Sequence, residues 1–431
     1  MKSGRVPKIL MFGHGGIHVA SLASALKAHQ VGRISVLEIS TPVKGALTGE
    51  IDTIFDAVYP LNARDASIPA DLAGLCCQPP SWESFRSFVT ITTKLLFFGI
   101  TAPRKLRGIG QEIYYLRMFH RIERDFDILH LHFMSPRMAE FVRILPESRK
   151  LLVSIWGSDL LRVAGASNYR SQLQICQRAS IITVRSTELR EILLAKFGRD
   201  LASKVRIAKF GSPLIPIIRK SDVASLRREF RDEFQLKDDQ LLVCLGHNGF
   251  RENQHVQMLT ALERLSDGLK QRLVFVAPMA YGTDSVYSKL CENVAKEKHL
   301  QLHVLREFLS QENTVRLRAG TDVMIHLPIS DALSGAMGET IFAGNVVVTG
   351  TWLPYGEIRR RGIHFREISS LTELPSVLES LAANIEQEKA IVRATSERIR
   401  EVIGWDEIIR AWTGIFAELT SVRHPMSDGD S

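Results

Sequence analysis

The chain has 431 residues, 45% hydrophobic and 24% charged, an ordinary globular composition that excludes disordered, collagen-like and low-complexity classes and predicts two domains or three small ones. Its longest apolar run, Leu95-Leu96-Phe97-Phe98-Gly99-Ile100, falls far short of the roughly 18 residues that span a bilayer, and no secretory signal is expected. Residues 1–212 carry 29 Lys and Arg against 17 Asp and Glu, a net +12, and the remainder 26 against 30, a net −4, so the first half is expected to meet an anionic partner.

In chain order, Lys8-Ile9-Leu10-Met11-Phe12 predicts a strand, Gly13-His14-Gly15-Gly16 a turn, and Val19, Leu22, Ala25 and Leu26 a helix. With the second apolar run Arg33 to Glu38 this is a βαβ opening. Short buried runs follow at Ile128–His132, Leu151–Ile155 and Ile181–Val184, separated by helix-length gaps. That pattern predicts a parallel, doubly wound sheet. At Val205 to Pro213 a strand runs into Gly and Pro, which places the linker there. The pattern restarts with strands at Leu241–Leu245, Arg272–Val276, Val323–Leu327 and Asn345–Val348. Residues Glu397 to Leu419 carry apolar positions at helical spacing, and the last residues carry none. The expected organisation is an α/β chain of two Rossmann-like domains, 1–212 and 213–396, facing across a cleft. A helix at about 397–420 crosses back onto the first, and 421–431 form a disordered tail.

Ligands of open parallel sheets bind beyond the carboxyl ends of the strands, so motifs there carry weight. The Gly13-His14-Gly15-Gly16 cluster suits close approach of a ligand to backbone amides, or a tight turn with no ligand. His130 and His132 share one face of their strand, and His132, nearer its end, could reach the cleft; a satisfied structural role is the favoured reading of a lone histidine. In the second half, Asp331 and Glu339 are carboxylates eight residues apart, with Ser334, Gly335 and Ala336 between them at the expected start of a helix. Amides at such an end are placed to hold a diphosphate; the alternative is a polar loop capping a core helix.

These residues together resemble the GT-B glycosyltransferases, closest to the large family with an E-x7-E signature. Here the signature is Asp331 and Glu339, followed by Thr340-Ile341-Phe342-Ala343-Gly344 and the strand Asn345–Val348. Asp331 departs from the usual glutamate and shortens its reach by one methylene. The strand Asp127–His132 and the turn Gly157-Ser158-Asp159 are similar to first-domain segments of the same family, and Trp405-Asp406 fits the start of its last helix. A narrower similarity joins Gly246-His247-Asn248-Gly249-Phe250-Arg251-Glu252-Asn253-Gln254-His255 and Pro278-Met279-Ala280-Tyr281 to the bacterial fucosaminyl transferase that extends a lipid-linked intermediate.

The resemblance implies transfer of a sugar from a nucleoside diphosphate sugar, without cofactor or metal, to a glycan or polyprenyl-diphosphate-linked acceptor. Donor binding falls to the second domain, through Gly246, Asn248, Gly249, Arg251, Asn253, Asp331, Ser334, Gly335, Ala336 and Glu339, with Gly15 and Gly16 facing the phosphates. The family's usual Arg…Lys pair is missing, which makes Arg251 the candidate cation. His132 is implied beside the reacting carbon, and His132, Asp159 and His14 are candidate bases. Trp82, Phe85 and Phe88 precede Arg104, Lys105 and Arg107; aromatic residues beside a basic cluster suit a membrane surface or a core helix followed by a solvated loop, and the +12 charge favours the surface. Five cysteines in no metal-binding spacing fit a reducing compartment, so the expected location is cytoplasmic, peripheral on the inner membrane face. Two other classes fit the sequence less well. A nucleotide-dependent oxidoreductase lacks its GxGxxG, and a noncatalytic anionic-surface binder, nucleic acid included, lacks any recognisable module.

Overall fold

A computed structural model of the chain describes residues 6–13, 16–38, 54–60 and 114–421. His14, Gly15, the whole stretch from Trp82 to Arg107, and residues 422–431 lie outside the described residues.

Short apolar runs make two sheets in which every recorded strand pair is parallel. The first contains β1 (Lys8–Gly13), β2 (Arg33–Glu38), β3 (Ala57–Pro60), β4 (Ile128–His132), β5 (Lys150–Ser154), β6 (Ile181–Val184) and β7 (Val205–Ile207), in the order β3-β2-β1-β4-β5-β6-β7. The second contains β8 (Leu241–Leu245), β9 (Leu273–Pro278), β10 (Gln301–Leu305), β11 (Val323–His326), β12 (Val346–Gly350) and β13 (Arg366–Ile368), in the order β10-β9-β8-β11-β12-β13. In both sheets the order reverses beside the first strand, which is the doubly wound arrangement expected from the sequence.

Central strands β4, β8 and β11 are buried at every position, as strands covered by helices on both faces must be. The edge strands β3, β10 and β13 were not among those expected. Gln301 and His303 in β10, and Arg366 and Glu367 in β13, break the apolar pattern because an edge keeps one side in water. At the base of the second sheet, buried Asp322 accepts from the Leu242 amide at 2.8 Å and pairs with Lys389, Arg227 and Arg231. This ties β8 and β11 to two helices at one point.

The chain leaves the first sheet after β7, and Ile215 already packs into the second core. It returns at the end, where Ile409, Trp412, Ile415, Phe416 and Leu419 join Ile9, Met11, Val19 and Leu22 in one cluster. The expected continuous helix is broken in two. A single turn at Glu397–Ile399 and a short helix Arg400–Ile403 stop at extended Gly404, and the helix Trp405–Ser421 starts afresh. The break redirects the chain between lobes. Trp405 Nε1 donates to Ser21 Oγ at 2.6 Å and fully buried Trp412 Nε1 to the Lys209 carbonyl at 2.7 Å. Trp412→Ala, which empties the centre of that seam, is expected to lower the free energy of unfolding by about 3–5 kcal/mol; urea denaturation followed by circular dichroism measures it, and an unchanged midpoint would show that the helix does not anchor the first lobe.

Candidate functional site

On the second lobe, the helix Gly335–Phe342 follows β11 after a polar loop. Ser334 caps it, its Oγ accepting from the Met337 amide at 3.2 Å, and the Gly335 and Ala336 amides, being the first of the helix, have no carbonyl behind them. Glu339 lies one turn in. Its two oxygens accept from Ser212 Oγ at 2.7 Å and from Arg318 Nε at 3.1 Å. Asp331 is not on the helix but in the loop before it. Its Oδ2 accepts from the Tyr355 hydroxyl at 2.6 Å, and the same hydroxyl is 2.9 Å from His326 Nε2. Burial alone would raise the Asp331 carboxyl, but His326 and Tyr355 hold it well below the usual carboxylate range. Asp331 therefore stays an anion and Tyr355 a donor.

The loop after β8 is built on amide side chains. Asn248 Oδ1 accepts from the Phe250 amide at 3.1 Å and from Asn253 Nδ2 at 2.6 Å, so both asparagines brace the turn. Gly249 donates to the Tyr281 carbonyl at 2.9 Å and has Thr283 against it, while Gly246 lies over His255. The Arg251 side chain is 61% exposed, 3.7 Å from Asp284 and stacked over Tyr287 at 4.5 Å, at the start of the helix Ser285–Glu297.

On the first lobe, β1 ends in Gly13 at φ 110°, where an added Cβ would lie 2.1 Å from the His132 carbonyl oxygen, so only glycine fits beside β4. Gly16, which starts the helix Ile17–Ala28, faces open space. His130 and His132 share one face, their ring centroids 3.9 Å apart. His132 is 1% exposed behind Trp156 and Phe210, with neither ring nitrogen bonded among the described residues, and burial pushes it down to about 3. Asp159 is fully buried and accepts from the amides of Met134, Trp156, Gly157 and Leu160 at 3.0, 3.0, 2.9 and 3.2 Å. It braces two loops against each other, and its oxygens are committed to them. Burial pushes its carboxyl up to about 6 despite those amides.

The two lobes meet at these loops. Gly157, at φ 108°, is so close to Ala332 that an added Cβ would lie 2.4 Å from the alanine Cβ. Arg162 Nε donates to Ser330 Oγ at 2.9 Å. Between the lobes stand three residues that the sequence did not single out. His18, in the first turn after Gly16, lies edge-on to Trp156 and feels the fields of both Arg185 and Asp331. Arg185 follows β6 directly, and Tyr355 comes from the segment after β12. Only Arg185 carried a signal in the sequence, a charge directly after the short strand run Ile181–Val184.

No protein-family model matches the sequence, and no curated protein matches it. Solved structures do. HepE from Anabaena, solved in complex with UDP and glucose and with UDP-glucose, superposes with a TM-score of 0.68 for the former at 14% identity, covering 96% of this chain and 100% of that one. The chain has the GT-B fold. Sucrose-phosphate synthase from Thermosynechococcus elongatus gives a TM-score of 0.69 at 12% identity over 96% and 99% of the two chains. WaaG, a glycosyltransferase involved in lipopolysaccharide biosynthesis, gives 0.59 at 13% over 96% and 100%. Among the described residues no group of His, Cys, Asp or Glu side chains would hold a metal ion, and no helix is long and apolar enough to cross a membrane.

Within this GT-B frame, burial holds the imidazoles of His18, His132, His247 and His255 down to about 4, 3, 3 and 4, below the ordinary 6.5. The unfolded chain takes up these protons first, so their contribution to stability is complete above about pH 6.5 and is lost as pH falls towards the folded values. The thermal midpoint is expected to drop between pH 6.5 and 4, and His132→Phe to make that drop shallower. Identical slopes in the two proteins would show that His132 is not buried neutral.

Proposed function

We propose that this chain is a glycosyltransferase that moves a sugar from a nucleoside diphosphate sugar to an acceptor. The observation that carries the reading is the joint placement of Asp331, the Gly335 and Ala336 amides and Glu339 at one strand end of the second lobe, in a fold shared with HepE bound to UDP-glucose. Glu339 accepts hydrogen bonds from the ribose, exchanging its Ser212 contact for them, and the helix amides receive the diphosphate. Asp331, fixed through Oδ2 by Tyr355, turns its other oxygen to the sugar hydroxyls. The acceptor enters along the first lobe between Gly16 and the loop after β4. Preorganised dipoles and charges, worth most where water is excluded, stabilise the departing diphosphate.

The local similarity around Gly246–His255 and the +12 charge of residues 1–212 support a lipid-linked acceptor at an anionic membrane surface. On that reading the protein cosediments with vesicles of phosphatidylglycerol in 50 mM salt and is released in high salt; absence from the low-salt pellet would refute it.

With a panel of nucleotide sugars that includes UDP-glucose, the protein is expected to release nucleoside diphosphate, and the matching donor to raise the thermal midpoint. Glu339→Gln keeps the bulk beside Arg318 and removes the charge. It should weaken donor binding about ten- to a hundredfold, the loss of one charge-assisted hydrogen bond. If every donor stays intact and none shifts the midpoint, the transferase reading fails.

A further inference from the structure

Arg185 is 8% exposed, yet its Nε has no hydrogen-bond partner and no carboxylate pairs with it among the described residues. Its recorded neighbour is the face of Phe210, 5.8 Å away. A buried guanidinium left unpaired costs several kcal/mol, so a fold that keeps one keeps it for an anion that arrives. Among the described residues none supplies that anion. Asp331 and Tyr355 exert their fields on Arg185 from across the interlobe contact, but Asp331 is bonded to Tyr355 and His326 and makes no ion pair with it. Other cations near the contact are committed among the described residues: Arg251 to Tyr287 and Asp284, Arg318 to Glu339, Arg162 to Ser330, Lys209 to Glu357. Beside Arg185 the helix Ile17–Ala28 begins at Gly16, where among the described residues a Cβ would meet nothing within 4 Å, and His18 is neutral. Among the described residues the wall at Gly16 is therefore positive and open.

We infer that Arg185 is the first lobe's ligand for a phosphate oxyanion in the cleft, and that this oxyanion belongs to the diphosphate of the donor. The inference rests on the transferase reading above and names the cation that its chemistry requires. During transfer the bond from the anomeric carbon to the phosphate oxygen breaks and its electron pair leaves with the diphosphate. The acceptor oxygen forms the new bond, and its proton passes to solvent or to the leaving phosphate. Negative charge thus grows on the terminal phosphate. A guanidinium on the opposite lobe meets it as the lobes close, with two donors in one plane.

The full chain is titrated calorimetrically with UDP, GDP, ADP and dTDP and with the matching monophosphates. Wild type is expected to bind one diphosphate more tightly than its monophosphate. Arg185→Gln should lose about ten- to a hundredfold for the diphosphate and less than about twofold for the monophosphate, and Arg185→Lys should recover part of the loss. Because the substitution removes an unpaired buried charge, the urea midpoint of Arg185→Gln should stay level or rise. Hydrolysis of the matching sugar donor without acceptor should slow in parallel. Equal diphosphate affinity in wild type and Arg185→Gln overturns the proposal. If affinity and hydrolysis are kept while transfer to an acceptor is lost, the oxyanion belongs to the acceptor and the donor assignment is overturned. A wild type that binds none of the nucleotides overturns the transferase reading itself, before any variant is compared.

Discussion

Every paired strand in both sheets runs the same way as its neighbours, and the chemistry of the molecule depends on that constraint. Parallel pairing sends each chain segment out at the same edge, so the loops after β1, β4, β5 and β6 collect on one lobe and those after β8, β11 and β12 on the other. Helices that follow such loops start there, with their unpaired amides pointing outward. Two edges of this kind set against each other bring Gly16, His18, Trp156 and Arg185 opposite Asp331, Gly335 and Tyr355.

Charge is divided unevenly across that contact. On the second lobe the carboxylates are held: Glu339 by Ser212 and Arg318, Asp331 by Tyr355 and His326. Their geometry is set before a ligand arrives, so little reorganisation is left to the moment of reaction. The first lobe presents neutral imidazoles and the Arg185 guanidinium, whose Nε has no partner among the described residues. A polyanionic ligand would complete the arrangement, because it supplies the negative charge the first lobe lacks and occupies the helix amides of the second.

Much of the fold was legible because a central parallel strand is a run of apolar residues and little else. Ile128–His132, Leu241–Leu245 and Val323–Leu327 stood out for that reason, whereas β10 and β13 alternate with Gln, His, Arg and Glu and look like loops. The spacing of Asp331 and Glu339 was equally legible, since both lie within one loop and helix. The roles of single polar residues were not. Asp159 is drawn into four backbone amides and Arg251 onto Tyr287, contacts between segments that no spacing reveals. His132 ends β4 as expected, and only the fold shows that the bulk of Trp156 and Phe210 covers it. Arg185, His18 and Tyr355 come from three distant segments and acquire meaning only where those segments converge.

The chain passes between the lobes twice, and the two passages touch: the Ser212 amide donates to the Ile403 carbonyl at 2.8 Å. Two crossings pinned side by side tie the lobes together at one seam. Ser212 is also the residue whose hydroxyl reaches Glu339. Whatever displaces that hydroxyl therefore acts where the two crossings meet.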